Sequence, residues 1–307
     1  LKVAKKLGDR FAIIDATDGD ATFRAGQVTL DSEAMKYGAA YYPKLRSAYK
    51  TELSDSFTCT YSVTDSPIEP ELVGLVLPYE TASPLNGADL SVVKTVDKGL
   101  YEEIVRLAKA VEQEIELAPS AAVAGVYARI DRDRGVWKAP ANTGLYSVIK
   151  PSVKTTAQDQ ESYNIDPVAG LSINVIREFT GKGTLVWGAR TLAGNDNEWR
   201  YVPVRRLYNY VEESVKKASE FVVFEPNTAN TWVRTKGMIE NFLSNLWKDG
   251  ALAGATREDA FFVKIGLGET MTPQDILEGK MNVEIGMAAV RPAEFIVLKF
   301  SHKLQEA

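Results

Sequence analysis

Residues 171–208 read LSINVIREFTGKGTLVWGARTLAGNDNEWRYVPVRRLY. Within this stretch Thr184–Trp187 reads as a strand, with Gly181-Lys182-Gly183 as a hairpin-like turn before it. Tyr201–Val204 reads as an extension of that strand or as another one. A helix follows over Leu207–Ser219, with Leu207, Val211, Val215 and Ala218 inward. Its outer face carries Glu212–Lys216 and Glu213–Lys217 at i,i+4, pairs worth about 0.2–0.5 kcal/mol each. Strands alternating with amphipathic helices imply a layered α/β fold.

The pattern continues toward the C-terminus. Phe221–Phe224 (FVVF) reads as a buried strand before a Pro226–Asn227 turn. Thr231–Asp249 reads as a second helix, with Trp232, Ile239, Phe242, Leu246 and Trp247 apolar and Gly250 ending it. Phe261–Ile265 is a strand. Thr272-Pro273-Gln274-Asp275 is a helix start, because Thr272 can cap, Pro273 suits the first turn and Asp275 favours the dipole. Met281–Ile285 and Phe295–Leu304 close the chain as strands. The last alternates, with Ile296, Leu298, Phe300, His302 and Leu304 on one face and Lys299, Ser301 and Lys303 on the other.

In the other direction, Phe11–Ala16 (FAIIDA) reads as a buried strand and Ser32–Tyr37 as a short helix. Asp97–Leu117 reads as a helix with Leu100, Ile104, Leu107, Val111 and Ile115 on one face. Asp97 can cap it, and Pro119 stops it.

Residues 127–146 read YARIDRDRGVWKAPANTGLY. Arg129, Asp131, Arg132, Asp133 and Arg134 alternate sign before a turn at Gly135, and a loop rich in Trp, Pro and Asn follows. Arg and Trp are common anchors of protein interfaces, so Arg129, Arg132, Arg134, Trp137, Arg190 and Trp199 are candidate interface residues. An ordinary salt-bridged turn with a loop after it is the other reading of the same residues.

The 307 residues suffice for one large domain or two ordinary ones. Apolar residues are 45% and charged residues 25%, the balance of a globular protein. A net charge of −5 argues against broad nucleic-acid binding, which needs a positive surface. The single cysteine, Cys59, can form neither an internal disulfide nor a cysteine-based zinc site. No apolar run approaches the ~18 residues of a membrane helix, and no signal peptide is visible.

Four strings carry a family resemblance: YARIDRDRGVWKAPAN, INVIREFTGKGTLVWGARTL, EWRYVPVRRLYNYVEESV and AAVRPAEFIVLKF. They resemble the tail sheath proteins of contractile phages and phage-tail-like injection particles, and they occur in that family's order. GDRFAIIDA and KYGAAYYPKL match more weakly, and 62–97 matches nothing placeable.

The resemblance implies a mixed-sheet, subtilisin-like sheath domain over 1–174. An α+β sheath C-terminal domain would follow over 175–292 and a strand arm over 293–307. The chain begins without Met and shows no N-terminal arm, so a longer parent protein is expected. Copies would stack as hexameric rings around an inner tube, contract on a baseplate signal and drive the tube through a target envelope. Expected partners are the chain itself, the inner tube protein and the baseplate and cap proteins, with no nucleic acid, no membrane insertion and no cofactor. Assembly would occur in the bacterial cytoplasm, within a phage tail or a tail-like particle. A family helix attaches to the tube, which marks Arg234, Asn241, Ser244 and Lys248 on the 231–249 helix. The terminal arm would link subunits through Lys299, Phe300, Ser301, His302, Lys303 and Leu304, leaving the globular part after about Leu298.

A non-contractile cap or adaptor of the same particle is the alternative, and a subtilisin-like hydrolase is a further one. The hydrolase reading lacks chemistry. A Ser-His-Asp triad needs a histidine base, and the single histidine, His302, lies in the terminal strand pattern. Gly181-Lys182-Gly183-Thr184 is not a phosphate loop, because Ile176 stands where its first glycine is required. Gly266-Leu267-Gly268 lacks the third glycine of a dinucleotide fingerprint. Asp15, Asp18 and Asp20 lack the spacing of a calcium loop and read as a solvated turn.

Overall fold

The computed structural model describes residues 1–16, 31–50, 55–59, 87–110, 114–164 and 170–295. The chain forms two units, one of residues 1–45 with 117–307 and the other of 46–116.

The first unit is organised by a five-stranded mixed sheet. Ala12–Asp15 pairs in parallel with Gly38–Tyr42, which pairs in parallel with Ile173–Phe179. Gly183–Val186 then runs antiparallel to both Ile173–Phe179 and Thr143–Gly144. The expected turn at Gly181–Gly183 connects two of these strands, and both glycines adopt the left-handed φ it requires (76° and 75°). Alternate side chains serve opposite faces. Ala39, Tyr41, Ile176 and Val186 pack against Val123, Val126, Tyr127 and Ile130 of the helix Ser120–Arg134. Ala40 and Ile173 pack on the other side with Leu171 and Leu192, and Met35, Tyr42 and Tyr163 cover them.

A second core joins the helices Val202–Ala218 and Ala229–Lys248 to an antiparallel pair of strands, Phe261–Lys264 and Glu284–Met287. Leu207, Val211, Ile239, Leu243, Leu246, Phe261 and Val263 are buried there.

The second unit is smaller. It contains the helices Leu90–Val96 and Lys98–Ala110, a two-stranded pairing of Thr58–Cys59 with Ala88–Asp89, and all but the first residue of the strand Leu45–Lys50 and the last of Glu114–Leu117.

Several expectations hold. Asp97 caps its helix by accepting from Leu100 N–H at 2.9 Å. Thr272 and Asp275 form a reciprocal capping box. Others are corrected. The helix expected over Asp97–Leu117 ends at Ala110, and Glu114–Leu117 is a strand. Tyr201–Val204 is not a strand: Tyr201 is the N-cap of the Val202–Ala218 helix and Pro203 lies in its first turn. A proline there loses no hydrogen bond, which overrides the strand propensity of the valines. Phe221–Phe224 is neither a strand nor buried. It is a 3₁₀ turn, Glu220–Val222, that reverses the chain between two long helices, and Phe224 is fully exposed at a φ of 70°. The strand expected at Met281–Ile285 is shifted to Glu284–Met287. The alternating charges at 129–134 occupy the last turns of a helix that the local reading did not identify. Asp18, Asp20 and the terminal segment from Ile296 onward lie outside the described residues, as do 60–86.

Candidate assembly surfaces and the arginine framework beneath them

The arginines of the opening stretch point mostly into the protein. The Arg190 side chain is 5% exposed and forms a forked ion pair with Glu294, itself 19% exposed. Nε and Nη2 of Arg190 donate to the carboxylate at 2.8 and 2.7 Å, and Tyr201 Oη donates to it at 3.1 Å. Burial, and then the adjacent Glu294 charge, raise the Tyr201 phenol pKa above its ordinary value.

Arg205 lies among three aromatic rings. Its guanidinium sits 4.4 Å from the Trp199 ring, 5.0 Å from Tyr37 and 5.7 Å from Tyr208. Its Nε donates to Asn209 Oδ1 and its Nη2 to Glu212 Oε1, both at 2.7 Å. Arg206 forms a forked pair with Asp131 and lies 4.6 Å from the Tyr127 ring. It thereby ties the Val202–Ala218 helix to the Ser120–Arg134 helix. Beneath it, Tyr127 and Tyr41 share a buried hydroxyl–hydroxyl bond of 2.7 Å.

These contacts sort the candidate interface residues. Arg190 is buried and bonded internally, and Trp199 is half-buried against Arg205. Trp137 packs on the second core, folding back over Gly135, whose φ of 90° and lack of a Cβ make room for the indole. Arg129 donates to Gly144 O at 2.7 Å and covers the Tyr146 ring. Arg132 and Arg134 are exposed, Arg132 paired with Asp133. Sequence reading missed Arg205, Arg206 and Glu294. The available signal was an adjacent arginine pair on an otherwise apolar helix start.

On the Ala229–Lys248 helix, Thr231, Thr235, Ile239, Leu243 and Leu246 are buried at helical spacing. Of the candidate tube-contact residues, Arg234, Asn241 and Lys248 are exposed on one side of the helix, whereas Ser244 is half-buried. Arg234 covers the Phe221 ring at 5.6 Å.

The strand pair Phe261–Lys264 and Glu284–Met287 offers a different surface. The bond from Ala288 N–H to Ala260 O sets the register, so Phe262–Gly286 and Lys264–Glu284 are the hydrogen-bonded pairs. The backbone groups of Ile285 and Met287 therefore point outward, and Met287 O accepts from Tyr208 Oη at 2.8 Å. Beside this edge lies an open groove of about 1080 Å³, lined by apolar side chains including Val211, Val215, Val223, Phe224 and Ile285.

Among the described residues no group of three or more His, Cys, Asp or Glu side chains could hold a metal ion. No described helix is long and apolar enough to cross a membrane.

Residues 194–303 match the phage tail sheath C-terminal domain family. The structure is similar to the sheath of an extracellular contractile injection system (PVC) in its contracted state, at 36% identity and a TM-score of 0.69. That likeness covers 95% of this chain and 64% of the other. It is also similar to a chain of the anti-feeding prophage baseplate, at 35% identity and a TM-score of 0.66, covering 96% of this chain and 60% of that one. Among curated proteins, the tail sheath protein of Vibrio phage KVP40 is 24% identical over 181 residues, 58% of this chain and 25% of the relative. The chain thus spans about a quarter of that relative and under two thirds of the two solved chains. The resemblance to tail sheath proteins, first carried by four short strings, extends through the fold.

Proposed function

We propose that this chain acts as part of a contractile sheath subunit, which polymerises around an inner tube and shortens to drive that tube into a target. The observation that carries the reading is the match along 95% of the chain to a solved contractile sheath. The parallel strands of the mixed sheet, with helices on them, are compatible with a subtilisin-like domain over 1–174. Residues 175–292 then form the C-terminal domain, and 293–307 the arm. The strand Ile173–Phe179 crosses the first boundary, so the division at 174 falls inside one sheet.

The energy of contraction resides in packing between subunits and requires no nucleotide. A helical polymer needs a heterologous contact, in which two different patches of the same chain meet. The outer edge at Glu284–Met287, where Met287 O is already taken by Tyr208 Oη, supplies one patch around Ile285. A two-stranded sheet is marginal alone and gains stability from added strands. The alternating terminal segment of a neighbouring copy, Lys299 to Leu304, supplies the other. Repetition along the polymer allows each contact to be modest. Rings are hexameric in this reading, and the exposed Arg234 and Lys248 face the tube. Arg132 and Arg134 are the exposed arginines left for subunit contacts.

Removal of residues 299–307 from the full-length protein tests the reading. The truncated protein should remain a folded monomer and form no long tubes in negative stain. Full-length contractile tubes from it would refute the strand exchange. Charge reversal of Arg234 and Lys248 together should weaken assembly on the tube, and normal assembly at raised salt would remove that helix from the tube contact.

A further inference from the structure

The chain leading to the C-terminal segment is tied down at three of its residues, Val290, Arg291 and Glu294. Val290 N–H donates to Ala251 O at 3.2 Å, and Arg291 Nη1 donates to Asn197 O at 2.9 Å. Among the described residues Glu294 is the last of these anchors, held by Arg190 and Tyr201. The next residue, Phe295, is largely exposed.

The receptor for Glu294 is itself built into the fold. Arg190 and Tyr201 face each other in an antiparallel bridge. The backbone of Arg190 is gripped at both groups by one buried amide: its N–H donates to Asn174 Oδ1 at 2.7 Å, and its C=O accepts from Asn174 Nδ2 at 2.7 Å. Asn174 lies in the strand Ile173–Phe179, and its Nδ2 also reaches Ala40 O at 3.2 Å in the strand Gly38–Tyr42. Arg190 Nη1 donates to Asn164 O at 3.3 Å. A short polar chain therefore runs from Glu294 through Arg190 and Asn174 to two central strands.

We infer that the Arg190–Glu294–Tyr201 cluster is a clamp that fixes the pivot of the C-terminal segment and delivers its pull into the central sheet. The inference rests on the proposal that this segment links neighbouring subunits. Its chemistry suits the task. A carboxylate held by a planar guanidinium fork has a defined direction as well as a defined position. Partial burial keeps water from competing for it, and breaking one partner leaves the other charge poorly solvated. Arg190 and Tyr201 are positioning residues here. They hold the exit point at Glu294.

The test uses Glu294→Ala, Glu294→Gln and Tyr201→Phe in the full-length protein. The readouts are the thermal midpoint, hydrogen exchange of residues 290–295 and tube length in negative stain. Glu294→Ala should raise exchange in 290–295 by roughly tenfold or more while the global midpoint moves little, because the opening is local. Its tubes should be short or irregular. Glu294→Gln and Tyr201→Phe each keep part of the cluster and should give intermediate exchange. Should Glu294→Ala fail to fold, those two milder variants decide the matter. Unchanged exchange in both, or wild-type tubes from Glu294→Ala, would overturn the clamp. A fall in global midpoint that accounts for all the added exchange would also overturn it, by making the pair an ordinary structural bond. Removal of 299–307 keeps the two ideas apart: if that truncation still assembles, the strand linkage itself has failed, whatever Glu294 does.

Discussion

Replacing Arg205 with Lys should destabilise the first unit well beyond a routine surface change. The Arg205 side chain is 4% exposed, and that of Glu212 is 53% exposed. Lysine retains a charge but cannot present the fork. Asn209 is buried, so its Oδ1, which accepts from Arg205 Nε at 2.7 Å, would lose its donor. Such an unsatisfied acceptor costs about 1–3 kcal/mol. The stacked guanidinium over Trp199 contributes about 0.5–2 kcal/mol, of which an ammonium recovers only part. Loss of the Glu212 contact adds little, because that carboxylate returns to water. The total is about 2–4 kcal/mol, which lowers the midpoint of a unit this size by roughly 5–12 °C. Guanidinium unfolding followed by Trp fluorescence would measure it, with Glu212→Gln as a control expected within about 0.5 kcal/mol of wild type. If Arg205→Lys matched that control, the aromatic cage would be a coincidence of packing, and the account of the arginine framework would be wrong.

Three further outcomes follow from the same structure. Ile239→Ala removes a fully buried side chain from the second core and should cost about 2–5 kcal/mol in denaturant unfolding. Gly188→Ala would bring a Cβ to 2.7 Å from Asn174 Oδ1 and 3.1 Å from its backbone Cα, so it should destabilise by about 1–3 kcal/mol and loosen the grip of Asn174 on Arg190. Burial holds the Tyr41 and Tyr127 phenols above their ordinary pKa of 10.0, so the folded state keeps protons that the unfolded chain sheds. Stability is therefore complete below pH 10 and falls as pH rises past it; a Tyr41→Phe, Tyr127→Phe double variant should flatten that alkaline limb of a pH–denaturation series.

The elements legible in the sequence are those whose cause is local. The capping box at Thr272–Asp275, the Asp97 cap and the glycine turn at 181–183 depend on residues within one turn of each other. The helices read over 207–219 and 231–249 show themselves by their apolar period, although the first begins earlier, at Val202. Missed elements have causes elsewhere in the chain. FVVF at 221–224 has strand composition, but the two helices flanking it leave it no neighbour to pair with, so it forms an exposed turn. The helix ending in 129–134 hides behind its charges, because its buried positions, Val123, Val126, Tyr127 and Ile130, precede them.

The same division applies to the assembly surfaces. Wording alone carried the sheath resemblance, because four strings kept their order along the chain. Residue type also marked Arg and Trp as important. It could not say whether they face a partner or the interior, since an arginine serves either purpose equally well. Tertiary structure decided that point. It brought Glu294 to Arg190 across 104 positions and Asp131 to Arg206 across 75, and so tied both arginines inside the protein while Arg132 and Arg134 stayed exposed. A charge finds its partner by proximity in space, and proximity between distant positions exists only once the sheet and helices have packed.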